Sequence, residues 1–174
     1  MPAIGQILRC AQNDRFQKDI WKNIMMRKLL ATFYWILGLG SLANGLWMLA
    51  SPAGWFVGVP AAVPDTGPLN THFVHDIGVV FVVVGLGAIW CARNLERCEP
   101  VHWGITLFYA GHALVHVAEI ISGRLPHSHW WIDAPLVFLP AVLLIVIGLP
   151  AVRQHALLRR PQARHEQQPV SRPE

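Results

Sequence analysis

Four long apolar runs, nearly free of charge, decide what this chain can fold into. They cover residues 29–50, 72–92, 101–122 and 134–152. A helix needs about 20 residues to cross the hydrocarbon core of a bilayer, and each run is close to that. Lipid offers no partner for an exposed peptide group, so such runs cross as helices. Strands of a membrane barrel would be shorter and would alternate apolar with polar residues. The expected fold class is an all-α integral membrane protein, an antiparallel bundle of four transmembrane helices.

Composition agrees. Only 14% of residues are charged and 53% are apolar; soluble domains carry about 25% charge. The net charge of +4 is crowded into the two ends and one short middle loop. A nucleic-acid binder would spread its basic residues over one face, with aromatics between them, so a nucleic-acid partner is excluded. The lipid bilayer is the expected partner, with a homo-oligomer or another membrane protein as further candidates.

Orientation follows from Lys and Arg. Lys18, Lys22, Arg27 and Lys28 precede the first run, Arg93 and Arg97 separate the second from the third, and Arg153, Arg159, Arg160 and Arg164 follow the fourth. The other two connections hold only Arg124. Both termini are therefore expected in the cytoplasm of a bacterial-type inner membrane. Connections 51–71 and 123–133 face outward. Trp47, Trp55, Trp130 and Trp131 would form an outer aromatic belt, and Trp21, Trp90 and Trp103 an inner one. The first run is too long for an ordinary signal peptide and no clean cleavage site follows it, so it reads as a retained helix.

Three divisions result. Residues 1–26 read as a disordered or mis-started extension, since Met25 or Met26 beside Arg27-Lys28 is a more natural start. Residues 27–152 form the transmembrane domain. Residues 153–174 read as a basic, disordered cytoplasmic tail. Segment 51–71 contains Pro52, Pro60, Pro64 and Pro68 and cannot be one helix. Trp55 to Val59 fits a short interfacial piece.

Ionisable groups at membrane depth are costly and mark candidate sites. On the second helix His72, His75 and Asp76 fall within about 100° of arc. On the third, Tyr109, His112, His116 and Glu119 fall within about 80°. The last outer connection adds His127, His129 and Asp133. His75 and His116 lie at matching depth, at about 1.5 Å per residue, and would face each other if helices two and three are neighbours. His102, at the inner end of helix three, reads as an interfacial residue.

Imidazoles with carboxylates suit a transition metal, with His75, His116, His127 and His129 as ligands. His72, Asp76, His112, Tyr109 and Glu119 would then complete a small polar binding site. A haem would need an axial pair, and only His75 with His116 matches in depth. A proton relay or quinone site would use the same stripe, extended inward by Tyr109. A thiol-quinone oxidoreductase is disfavoured, because Cys10, Cys91 and Cys98 form no outward pair and read as free thiols. The structural alternative is that these side chains only hydrogen-bond across helices, in a non-catalytic accessory subunit. Asn44 and Ser41 read as such glue, Gly38, Gly40, Gly45, Gly85 and Gly87 as points of close packing, and Pro140 as a kink.

Segment 66–78, TGPLNTHFVHDIG, enters the second helix. With the helix count and the glycine-rich first helix, it resembles the small four-helix bacterial inner-membrane proteins of the DoxX-like kind. Their N-x-H-F-V-x-D-I-G run is matched by Asn70, His72, Phe73, Val74, Asp76, Ile77 and Gly78. That family has no well-established common activity, so the resemblance implies a topology and no reaction. It also implies that His72 and Asp76 matter more than His75, which fills the variable place.

Overall fold

The computed structural model describes residues 2–157, with side chains from 16 to 153; the expected tail lies almost wholly outside the described residues. Helix α1 runs Pro2–Ala50, α2 Pro52–Gly58, α3 Thr71–Arg93, α4 Glu99–Ile121, α5 His129–Ile132, α6 Leu139–Gly148 and α7 Pro150–Leu157. A 3-10 turn covers Val63–Thr66, and a π-turn, Ala134–Phe138, leads into α6. Among the described residues no strand is formed.

Three helices are long and apolar enough to cross a membrane: Phe16–Ala50, Thr71–Arg93 and Glu99–Ile121. The fourth apolar stretch, Ala134–Gly148, is shorter. The expected run to residue 152 is broken at Leu149, whose backbone is extended. Pro150 is the cause, because a proline drives the residue before it out of helical geometry. At the other end of the chain, α1 continues upstream of Arg27 to Pro2 where a disordered extension was expected. Residues 6–37 contain neither Pro nor Gly, so nothing local stops the helix.

Small residues set the closest packing. A Cβ on Gly45 would lie 2.6 Å from the carbonyl oxygen of Gly78, and one on Gly85 would lie 2.7 Å from the backbone nitrogen of Leu42. Gly38 likewise abuts Gly85 and Ile89. Helices α1 and α3 therefore meet backbone to backbone, antiparallel, at two contacts one heptad apart, as membrane helices do where only Gly fits. Gly40, expected to share this role, has nothing within 4 Å. Gly78, noticed in the sequence only as part of the 66–78 segment, takes its place.

Helix α4 joins this pair through long polar side chains. Tyr34 Oη lies 2.7 Å from His102 Nδ1, and Ser41 Oγ 2.8 Å from Tyr109 Oη. All four are buried. Each pair links positions 68 apart, and the two pairs stand seven residues apart on both helices. The interfacial reading of His102 is thus corrected: it is wholly buried, because Tyr34 and Thr106 satisfy its ring and α6 covers it at Gly148. Tyr109 belongs to this brace as well. The apolar core, including Leu37, Val84, Ala88, Ile105 and Leu144, fills the space between.

The two ends differ. At the basic end Arg27 pairs with Glu96 at 3.1 Å, Arg153 with Glu99 at 3.5 Å, and Arg93 lies over the Trp35 ring. At the opposite end, here the histidine end, α2 folds back on α1, and Trp55 Nε1 donates to Asn44 Oδ1 at 2.8 Å. Asn70 caps α3 by accepting from the Phe73 amide at 3.1 Å.

Candidate functional site: a histidine–aspartate chain

The site is assembled by the break between α4 and α6. After Ile121 the chain turns through Gly123, at φ 75°, and the short α5 drops His129 and Asp133 inward. Asp133 then starts the π-turn, and its carbonyl accepts from both Val137 and Phe138. The widened turn points the carboxyl group at α4. His129 and Asp133 are both fully buried.

One oxygen of Asp133 serves two imidazoles. His116 Nδ1 lies 2.7 Å from Asp133 Oδ2, and His129 Nδ1 lies 3.1 Å from the same atom. On its other side His129 Nε2 stands 3.2 Å from Asp65 Oδ2, supplied by the 3-10 turn between α2 and α3. Asp65 is 46% exposed and marks where the chain reaches the surface. Inward, the His112 and His116 rings are 4.7 Å apart, and His112 stacks on Phe108 and meets Phe81 edge-on. The order from surface to interior is Asp65, His129, Asp133, His116, His112.

Proton counting constrains this chain. A neutral imidazole donates from one nitrogen only. His129 faces a carboxyl oxygen at each nitrogen, and a neutral ring has a single N–H to offer them. His116 donates through Nδ1 to Asp133, which leaves Nε2 free to accept. Asp133 Oδ1 is buried with no hydrogen-bond partner among the described residues. A buried carboxylate with one satisfied and one orphaned oxygen is uncommon, and it is a place where a proton or water gains most.

The residues anticipated from sequence are brought together only in part. His116, His129 and Asp133 converge, and His112 touches the group. His75, anticipated opposite His116, makes no hydrogen bond or ion pair among the described residues; the His116 ring is turned to Asp133 instead. His72 and Asp76 form their own pair, at 3.5 Å, on the exposed face of α3. Glu119 lies 4.0 Å from Arg124, and His127 is exposed. Asp65 was not anticipated. It lies 64 residues before His129, in a proline-rich turn, and no periodicity could have pointed to it. Among the described residues no group of three or more His, Cys, Asp or Glu side chains is arranged to hold a metal ion. Cys91 and Cys98 are free and buried near the basic end.

No family model, curated protein or solved structure matches this chain. The three long apolar helices are those of a membrane protein, and the chemistry has to be argued from the site itself.

Proposed function

We propose that this chain is a four-span protein of a bacterial-type inner membrane, both termini cytoplasmic, whose His–Asp chain carries protons between the outer surface and the membrane interior. In this reading Ala134–Gly148 is the fourth crossing, lengthened by α5 and α7. The Arg–Glu pairs at the basic end support the orientation, since cytoplasmic loops collect Lys and Arg. The DoxX-like resemblance supports the same topology.

One observation carries the relay: Asp65, His129, Asp133 and His116 are joined by successive contacts of 3.2, 3.1 and 2.7 Å. Alternating acid and imidazole is what proton hopping needs, because each ring takes a proton on one nitrogen and releases it from the other. The chain starts at an exposed carboxyl and ends at His112 among aromatic rings. A metal-binding role is served less directly. Both Nδ1 atoms are turned to the Asp133 carboxyl, and among the described residues no three His, Cys, Asp or Glu side chains are arranged to hold a metal ion.

Nitrogen NMR of the histidine rings, with the protein in lipid nanodiscs, tests the relay. When the outer pH is changed, the ring signals of His112, His116 and His129 should shift together. In Asp133→Asn the His112 ring should cease to follow the outer pH while the helices remain folded. A His112 ring that keeps one tautomer throughout, or that titrates unchanged in Asp133→Asn, would remove the proposal. It would leave the second reading, in which these groups only brace the helices as the Tyr34–His102 pair does.

A further inference from the structure

The relay leaves one polar pair unused. His72 and Asp76 lie on the outward face of α3, with side chains 89% and 62% exposed. Asp76 sits six residues past the Asn70 cap, about 9 Å along the axis at 1.5 Å per residue, which is within the membrane-spanning helix. A carboxylate there, facing lipid, is costly and calls for a partner. Its contact with His72 is long, at 3.5 Å, and leaves the second carboxylate oxygen and the second ring nitrogen unengaged.

The pair heads a stripe. His72, Asp76, Val79, Val83, Leu86 and Trp90 are all exposed and follow one another at spacings of four and three, the seam of a left-handed helix pair. Exposed stripes also run along α1, through Leu29, Thr32, Ile36, Leu39 and Leu46, and along α4, through Leu107 and Leu114, but over these lengths they carry no charged side chain and suit lipid. Among the described stripes along the apolar runs, that of α3 carries acid and base together. A patch bearing both is complementary to itself, as a two-fold interface requires.

We infer that the chain forms a two-fold dimer in the membrane through the exposed face of α3, with His72 of each copy meeting Asp76 of its partner. The parallel helices would then close a ring of two imidazoles and two carboxylates at the histidine end, with Val79, Val83 and Leu86 packed below it. This surface is separate from the His–Asp chain, and the inference stands whether or not that chain carries protons.

Cysteine cross-linking in lipid bilayers tests it, in a Cys10→Ser background. Val83→Cys should yield a covalent dimer under mild oxidation, and Leu107→Cys, on the lipid face of α4, should not. Asp76→Ala should weaken association roughly three- to tenfold by energy transfer between labelled copies. Exchanging the two groups, in His72→Asp/Asp76→His, should restore it. Equal cross-linking at both positions, a product of any mass other than twice the chain, or a swap that fails to restore association would overturn the inference.

Discussion

Asp133 is the residue on which the histidine end depends. It is fully buried and holds two imidazoles from different segments. Removing one partner of a buried polar pair leaves the other stranded, at a cost of about 3 kcal/mol. Asp133→Asn keeps one acceptor oxygen while losing the charge, and should lower stability by about 1–3 kcal/mol in denaturant titrations of the detergent-solubilised protein. Asp133→Leu should cost more, since both Nδ1 groups lose their acceptor. At the basic end the matching residue is Tyr34. Tyr34→Phe leaves His102 Nδ1 without its 2.7 Å partner and should cost about 1–2 kcal/mol, measured the same way. Adding Ser41→Ala should give a nearly additive loss, because the Ser41–Tyr109 pair is a separate contact two turns away. At this scale the sequence revealed types better than places. It marked His112 and His116 on the third helix, and His129 and Asp133 in the outer connection, as candidate site residues beside a purely structural alternative. It placed His116 against His75, and it missed Asp65, because which carboxyl meets which ring depends on how α5 and the 3-10 turn fold over the bundle.

Among the elements, α1 and α3 are the tightest pair, and their glycines are not equivalent. Gly45→Ala would put a methyl group 2.6 Å from the Gly78 carbonyl oxygen and should cost about 2 kcal/mol, because the obstacle is backbone and cannot turn aside. Gly40→Ala meets nothing within 4 Å and should be neutral or gain up to about 1 kcal/mol from better helix propensity. Thermal unfolding of the two variants side by side separates them; equal losses would contradict the packing described. The apolar runs located α3 to within one residue at each end, located α1 only at its Ala50 end, and named Gly38, Gly45 and Gly85 among five candidates. It could not sort contact from exposure among glycines, since sequence shows no neighbour. The break at Leu149 was also legible in retrospect, as a proline after an apolar run.

For the whole molecule the testable statement is topology. If Ala134–Gly148 crosses with its flanking turns, a reporter fused after Arg153 should be cytoplasmic, as should one in the 94–98 loop, while a label at Asp65 should react only from outside. A reporter after Arg153 found outside would mean three crossings. It would also separate the Arg153–Glu99 contact from the orientation it supports.

By itself the sequence determined the helical class, three helices long and apolar enough to cross a membrane, and the end at which most of the ionisable groups of the site gather. Those follow from run length and from where charge is tolerated, which are local properties of a chain in lipid. Only the tertiary structure decided that α1 lies on α3 through glycine, that His102 and Tyr109 brace α4 to α1, and that Asp65 and Asp133 share His129. These are contacts between residues as far as 68 positions apart. They depend on helix rotation and on the path of the connecting turns, neither of which a pattern along the chain records.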